Sequence, residues 1–364
     1  MKTIFNKNIV DYTKEPLFLG QDLSVQRYDT FKFPVFDKLN EQMLGFFWRP
    51  QEISLQKDRS DYLDFRPEQK FIFTNNLSYQ ILLDSVQGRS PSSILLPLCS
   101  NPELEGCLIT WTFFEAIHSR AYTHIIKNVY PDPSVVFDQV LKNEQIIKRA
   151  TSVTRHYDEL YEMSQRYFLN GEGTLRQLKK KLALTIISIN ALEGVRFYLS
   201  FACTFAFAEN KLMEGSAKEI ALIARDENQH LALTQHIIKI WQKGQDDPEM
   251  AEILVECKDE IMAIYEEVRN EEKEWGRYLF SEGSLLGLNE KLASDYIDFT
   301  VDRRLKAIGL QTLSKVKTNP LPWTQHWLNS KDVQTANQET ENESYLVGAI
   351  KADINISQFG GFSL

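Results

Sequence analysis

The chain has 364 residues, enough for one large domain or two ordinary ones, so size does not limit its hydrophobic core. Its 41 basic and 50 acidic side chains give a formal net charge of −9, and the basic residues form no long stripe, which argues against a nucleic-acid partner. The four cysteines are widely spaced, and the N-terminus lacks the continuous apolar region of a signal peptide. We therefore expect free thiols and a cytoplasmic protein.

Glycine and proline are both scarce, with 16 and 12 residues, as is typical of chains in which long helices replace turns. In chain order, we predict an irregular N-terminal arm over residues 1–35, a helical domain over 36–329 and a flexible polar tail over 330–364. The predicted helices cover 39–50, 67–87, 102–129, 143–169, 175–208, 216–241, 248–280 and 286–309. Most are longer than the globular mean of about 11–12 residues, and no strand alternation interrupts them, so the sequence predicts an all-α bundle of long helices.

The stretch WTFFEAIHSRAYTHII, residues 111–126, places polar side chains on an apolar helix face. At about 100° per residue, Glu115, His118 and Tyr122 lie on one stripe of this helix. A carboxylate and an imidazole at i, i+3 can reach the same metal ion. Taken alone, such a pair is more typical of a hydrogen-bonded core network than of a metal site.

A second Glu-x-x-His spacing, Glu227 and His230, lies on another apolar helix stripe in ALIARDENQH. Between the two motifs, residues 182–208 are almost entirely apolar and carry only two charges, Glu193 and Arg196. The length of this stretch would suit a transmembrane helix, but its central charges and the lack of another such span favour the central helix of a soluble bundle. In that helix, Arg196 is a possible ion-pair partner for Glu193.

Asp84 adds one more lone acid, on the helix predicted at 67–87. Four helices then offer one Asp, one Glu and two Glu-x-x-His pairs, which is close to the ligand pattern of ferritin-like di-iron and di-manganese carboxylate proteins. This combination favours a buried dimetal-carboxylate site, and its oxygen and nitrogen ligands suit Fe or Mn. Tyr122 is then either a core tyrosine bonded to a ligand carboxylate or an oxidisable phenol. Candidates for a dry wall around it are Phe197, Phe201 and Ile223.

Several longer motifs resemble one family closely. They are KEPLFLGQDLSVQRYD at 14–29, FFWRPQE at 46–52, LLDSVQGRSP at 82–91, EAIHSRAYTHI at 115–125, NALEGVRFYLSFACTFAF at 190–207, IARDENQH at 223–230 and SYLVG at 344–348. Over nearly its whole length, the chain is similar to the small, radical-generating β subunit of class Ia ribonucleotide reductase. The resemblance implies two Fe ions per chain, which use O2 to generate a stable tyrosyl radical. That radical passes to the catalytic α subunit, which reduces ribonucleotides to deoxyribonucleotides.

The resemblance also implies roles for individual residues. It places the radical on Tyr122, starts the radical-transfer path at Trp48 and Asp226, and continues that path at Tyr345 in the tail. Glu339 matches an acidic position that assists the tail relay. The alternatives are that Trp48 is a packing anchor and that Asp226 orients a ligating histidine. The implied metal ligands are Asp84, Glu115, His118, Glu193, Glu227 and His230.

The implied partners are an α subunit, bound through the C-terminal ISQFGGFSL, a second copy of the chain in a homodimer, and a ferredoxin-like or other reductant for metal-site maturation. Phe114 departs from the family, because relatives often carry a small residue there. The sequence leaves open an iron or a manganese-containing centre, since both use the same ligands. It also leaves open a di-iron oxidase, hydroxylase or desaturase, an iron-storage protein and a plain helical scaffold.

Overall fold

The computed structural model describes residues 3–329, whose helices surround one extensive hydrophobic core. Within this range there is no sheet, and the prediction of an all-α bundle is confirmed. The helices are α1 (Pro34–Gly45), α2 (Gln56–Leu63), α3 (Pro67–Gln87), α4 (Pro102–Val129), α5 (Ser134–Val140), α6 (Glu144–Gln165), α7 (Leu175–Ala191), α8 (Phe197–Glu209), α9 (Glu214–Gln242), α10 (Pro248–Glu256), α11 (Lys258–Leu279), α12 (Glu290–Ala307) and α13 (Thr324–Leu328). Wider π turns occupy Pro91–Leu95, Arg166–Asn170 and Leu192–Arg196.

Helices α3 and α4 begin and end at the predicted residues. Each has proline at its first position, where the missing N–H costs no hydrogen bond. The side chain of Asn101 caps α4 by accepting a hydrogen bond from the backbone N–H of Leu104 at 3.0 Å. These local signals fix the start of the helix that carries the first Glu-x-x-His motif.

Other predicted boundaries are wrong. Helix α1 starts at Pro34 and ends at Gly45, so Trp48 lies in the irregular segment that follows it. The helix predicted over 248–280 is two helices, since α10 stops at Glu256 and α11 starts at Lys258. Helices α2 and α5 were not predicted, because they are too short to show a long apolar periodicity in the sequence.

The most apolar segment forms the centre of the bundle. A π turn interrupts the helix predicted over 175–208 and divides it into α7 and α8. Among the described residues, Leu175–Glu209 is the one helical stretch long and apolar enough to cross a membrane, and its apolar window is entirely buried inside the protein. Such burial is what the core helix of a bundle requires.

Four helical segments pack side by side around the middle of the bundle: α3, α4, α9 and the stretch from α7 to α8. Helix α9 is anchored at its N-terminus by Asp58 of α2, which accepts hydrogen bonds from the backbone N–H groups of Gly215 and Ser216 at 3.0 and 2.6 Å. The side chain thus satisfies two donors that a helix start leaves open. Each of the four segments contributes an acid or a Glu-x-x-His pair to the same interior region.

Candidate metal centre

Glu115 and His118 project from α4 into the core, and both are almost completely buried. Their i, i+3 spacing brings His118 Nδ1 to 3.8 Å from Glu115 Oε2. The indole of Trp111, one turn earlier on the same helix, donates a hydrogen bond of 2.8 Å to Glu115 Oε1. This bond holds one oxygen of the carboxylate, while Oε2 has no hydrogen-bond partner among the described residues.

Helix α9 supplies the second pair. His230 Nδ1 lies 2.8 Å from Glu227 Oε2, and the other oxygen of Glu227 lies 3.1 Å from His118 Nδ1. Glu115 also spans both histidines, since its Oε1 is 3.4 Å from His230 Nδ1. The two Glu-x-x-His helices therefore face each other, with two carboxylates between two imidazoles.

Asp84 enters from α3, where its carboxylate lies 3.9 Å from His118 Nδ1. The end of α3 comes close to α4 because Gly88 has no side chain. A Cβ at that position would lie 3.1 Å from the Cβ of Glu115 and 3.0 Å from the carbonyl oxygen of Asp84. Glycine thus permits the approach that brings Asp84 to the cluster.

Glu193 enters from the π turn between α7 and α8, and its Oε2 lies 4.0 Å from His230 Nδ1. A π turn displaces the helical hydrogen-bond register, and Arg304 of α12 donates from Nε to the carbonyl oxygen of Gly194 at 2.8 Å. Arg196, the possible ion-pair partner of Glu193, instead contacts Glu271 at 2.7 Å and Glu272 at 3.4 Å. Arg196 is therefore not the ion-pair partner of Glu193.

The structure brings all six predicted ligand residues together in two overlapping groups that could each hold a metal ion. Within each group, one ligand atom per residue lies within 4.8 Å of the others, and every residue is buried. The groups share Glu115 and Glu227. One adds Asp84 and His118, and the other adds Glu193 and His230. Two groups joined by shared carboxylates match a dimetal centre.

The buried carboxylates of the cluster can all be ionised only if positive charge is added. Burial raises the pKa of Asp84 to about 8, and it raises the pKa of Glu115 and Glu193 well above the ordinary range, with the charge of Glu227 adding to each shift. Burial also opposes ionisation of Glu227, but the neighbouring Glu193 side chain and the charges of His118 and His230 lower its pKa below the usual value. Without a cation, protons must balance these buried carboxylates.

Several polar atoms of the cluster have no hydrogen-bond partner among the described residues. A buried polar atom without a partner costs roughly 1–3 kcal/mol, so their convergence on one spot indicates a role beyond packing. Carboxylate oxygens and imidazole nitrogens are ligands that Fe and Mn accept, so the residues fit a dimetal centre. The unpaired atoms are Asp84 Oδ1 and Oδ2, Glu115 Oε2, His118 Nδ1, Glu193 Oε2, Glu227 Oε1 and His230 Nε2.

Tyr122 lies beside this cluster, one turn after His118, and its side chain is completely buried. Burial raises the pKa of the phenol well above its usual value, and the charge of Asp84 raises it further. The phenol is thus neutral and next to Asp84. The three predicted wall residues are all fully buried in the same core: Phe197, Phe201 and Ile223.

Trp48 and Asp226 lie on the other side of His118. The indole Nε1 of Trp48 donates to Asp226 Oδ2 at 2.8 Å, and the same oxygen lies 3.2 Å from His118 Nε2. Trp48 is completely buried although its segment is irregular. The structure therefore joins these three predicted residues in one hydrogen-bonded line. Tyr345 and Glu339 lie outside the described residues.

Two residues that contact the cluster were not predicted to do so, although each lies one helical turn from a predicted ligand. Trp111 precedes Glu115 by one helical turn, and Gln87 follows Asp84 by one turn, so each shares a helix face with a ligand. Gln87 donates from Nε2 to Glu193 Oε1 at 2.7 Å. Residue spacing on a helix would have indicated both candidates, but not which oxygen each one contacts.

The chain is similar to known proteins over its whole length. The family model for the ribonucleotide reductase small chain matches residues 26–320. The ribonucleoside-diphosphate reductase subunit beta of Haemophilus influenzae is 51% identical over 373 residues, covering 100% of this chain and 99% of that protein. Ribonucleoside-diphosphate reductase 1 subunit beta of Escherichia coli O157:H7 is 50% identical over 373 residues, with the same coverage. Among solved structures, the ribonucleotide reductase R2 subunit from Clostridium botulinum matches with a TM-score of 0.79 and 26% identity, covering 90% of this chain and 98% of that chain.

Proposed function

The chain belongs to the ribonucleotide reductase small-subunit family, and on that premise we propose that it stores an oxidising equivalent on Tyr122 for a catalytic α subunit. The family is an oxidoreductase family, and a β subunit implies an α partner. The observation that carries the proposal is the buried cluster of six potential ligands with unpaired atoms, set beside a buried phenol.

Two iron ions are the proposed occupants, held by the six residues of the two ligand groups, and manganese is the alternative because it accepts the same donors. When bound, the metal pair would supply the O2-dependent one-electron oxidation of Tyr122. Trp111 and Asp226 support this role because they hold Glu115 and His118 by hydrogen bonds. A reductant, of ferredoxin type or another kind, is proposed for maturation of the metal site.

Tyr122 must lose a proton when it loses an electron. Asp84 is the neighbouring carboxylate that interacts with the phenol, and it is the proposed acceptor. Phe197, Phe201 and Ile223 are fully buried in the same core, and they are the proposed wall that excludes water from the phenol. Exclusion of water and reductants is the proposed reason that the radical persists.

The line Trp48–Asp226–His118 is the proposed start of radical transfer. Its support is the pair of short polar contacts that link the indole, the carboxylate and the imidazole without a gap. Tyr345 and Glu339 are the proposed relay residues in the tail. The tail over 330–364 would dock on the α subunit through its last residues. The proposed domain division places the N-terminal arm at residues 1–35 and the ferritin-like domain at residues 36–329.

A homodimer is proposed on the basis of one apolar surface patch. Leu44 on α1 and Ile109 and Phe113 on α4 are 51%, 48% and 48% exposed. The ring of Phe47 stacks on Phe113 with centroids 5.8 Å apart, which extends the patch between the two helices. Large exposed apolar groups that adjoin one another are typical of protein interfaces. A cytoplasmic location is proposed because the four cysteines, all within the described residues, are buried and form no disulfide.

The test is reconstitution with the cognate α subunit. The metal-free protein is loaded anaerobically with Fe(II), exposed to O2 and assayed for deoxyribonucleotide formation with α present or absent. We expect two bound iron ions per chain, one for each ligand group, and turnover that requires both α and metal. O2 consumption without α-dependent reduction would instead support an oxidase. Uptake of many iron ions per chain would support an iron-storage protein.

A further inference from the structure

The orientation of Glu193 is set by a side-chain amide from α3. Its Oε1 accepts a hydrogen bond from Gln87 Nε2 at 2.7 Å, whereas its Oε2 has no partner and lies on the side of His230. Gln87 is the last residue of α3 and is completely buried. One oxygen of Glu193 is thus held by an amide, and the other is left free.

The amide of Gln87 is itself held in one orientation. The hydroxyl of Tyr157, on α6, donates a hydrogen bond to Gln87 Oε1. A side-chain amide accepts through oxygen and donates through nitrogen, so a donor at Oε1 directs Nε2 to the other neighbour, which is Glu193. Burial raises the pKa of Tyr157 well above its usual value, so this hydroxyl keeps its proton and remains a donor.

We propose that Tyr157 is a positioning residue that acts through Gln87 to aim Glu193 at one of the two metal positions. This inference rests on the proposed dimetal function. Glu193 belongs only to the ligand group with His230, while Asp84 and His118 belong to the other group. Loss of the Tyr157 hydroxyl frees the Gln87 amide to rotate, and an amide oxygen turned toward Glu193 would repel its carboxylate. The effect therefore falls on one metal position and not on the other.

The chain contains a matched control for this relay. Tyr265 donates to Asn190 Oδ1 at 2.6 Å, and Asn190 Nδ2 donates to Thr234 Oγ1 at 2.7 Å. Like Tyr157, Tyr265 is a buried tyrosine whose hydroxyl fixes a buried amide. The hydroxyl of Thr234 donates onward to the backbone carbonyl oxygens of Leu231 and His230 at 3.0 and 3.3 Å. This second relay therefore holds no ligand side chain, and Tyr265→Phe removes an equivalent hydrogen bond without releasing a ligand carboxylate.

The experiment is anaerobic Mn(II) titration of the full-length metal-free protein, followed by EPR. The wild type should bind two Mn(II) per chain as a coupled pair, one for each ligand group. Tyr157→Phe should weaken one position by roughly 10–100-fold, the usual cost of losing a group that supports a metal ligand, and should give isolated Mn(II) at concentrations that pair the wild-type ions. Gln87→Met should show the same loss confined to one position. Tyr265→Phe should retain two positions of wild-type affinity.

The outcomes separate this inference from the function on which it rests. If the wild type binds no metal pair, the proposed function fails. If the wild type binds the pair but Tyr157→Phe and Gln87→Met both match it, the positioning role is overturned. It is also overturned if either variant weakens both positions equally. Circular dichroism of each metal-free variant identifies a misfolded protein, and the variant that remains folded decides the result.

Discussion

Trp48, Asp226 and His118 come from three distant stretches of the sequence, yet their side chains form one hydrogen-bonded line in the core. Each of the three is almost completely buried. Asp226 Oδ2 is shared between the indole and the imidazole, so the carboxylate couples them. At the scale of the residue, the question is whether this line transfers the radical or only orients a ligand.

Replacing Trp48 by Phe separates these two roles. The ring remains apolar, but Asp226 loses the indole donor at 2.8 Å, which should cost about 1–3 kcal/mol of stability. Because Asp226 still contacts His118, we expect metal binding and the Tyr122 radical to persist. Deoxyribonucleotide formation with the α subunit should fall to the background level. Iron content, EPR and the reductase assay measure the three properties on one sample.

The control for Trp48→Phe is Trp275→Phe, which changes another fully buried indole that forms no hydrogen bond to the described residues. It should retain reductase activity. Normal reductase activity in Trp48→Phe would show that Trp48 acts only as a packing anchor. Loss of metal binding in that variant would instead favour a purely structural role for the line.

The sequence could predict which residues meet at the centre, but not their contacts. The i, i+3 spacing and the apolar stripes indicated both Glu-x-x-His pairs, because helix geometry alone places such side chains on one face. No local sequence pattern indicated that Arg196 pairs with Glu271 and Glu272 and not with Glu193. That choice depends on the packing of α11 against the π turn.

At the scale of the element, the π turn Leu192–Arg196 is the feature that the sequence did not reveal. The predicted helix runs straight through it because the segment is apolar and contains no proline. The turn is held by tertiary contacts: Arg304 binds the carbonyl of Gly194, and Arg196 binds the acids of α11. The ends of α3 and α4 were predictable because proline and capping residues are local signals.

Replacing Arg196 by Met should strongly destabilise the bundle. The side chain is 2% exposed, and its removal takes away the guanidinium that pairs with the carboxylates of Glu271 and Glu272. Breaking a buried ion pair by removing one partner costs about 3–5 kcal/mol. Urea unfolding of the metal-free protein measures this loss without interference from ligand binding.

The comparison for Arg196→Met is Arg155→Met on α6. Arg155 contacts Glu267 at 2.8 Å, but these side chains are 49% and 37% exposed. Exposed pairs contribute about 0–1 kcal/mol, so this variant should remain close to the wild type. Equal stability losses in the two variants would contradict the view that the buried arginine holds the π turn.

At the scale of the whole molecule, the described residues form one bundle with an apolar patch on its surface. Leu44, Ile109 and Phe113 are exposed on helices whose opposite faces enter the core, and α4 carries both the patch and the first Glu-x-x-His pair. A dimer through this patch would place α4 near the interface. The sequence implied a homodimer only through family resemblance, because exposure of particular apolar residues depends on the tertiary fold.

Phe113→Glu should dissociate the homodimer. It places a charge in the middle of the patch, and burying an unpaired charge at an interface is costly. Light scattering coupled to size-exclusion chromatography should show a dimer for the wild type and a monomer for the variant. Val255→Glu changes a residue that is 77% exposed on α10, away from the patch, and should remain dimeric. A dimeric Phe113→Glu would place the interface elsewhere.

The central claim is that the metal cluster oxidises Tyr122. Its most direct test is low-temperature EPR of wild type and Tyr122→Phe after anaerobic Fe(II) loading and exposure to O2, with iron content measured in parallel. We expect a tyrosyl signal in the wild type, no such signal in Tyr122→Phe, and equal iron content in both. A fully loaded wild type without a radical, or the same tyrosyl signal in Tyr122→Phe, would contradict it.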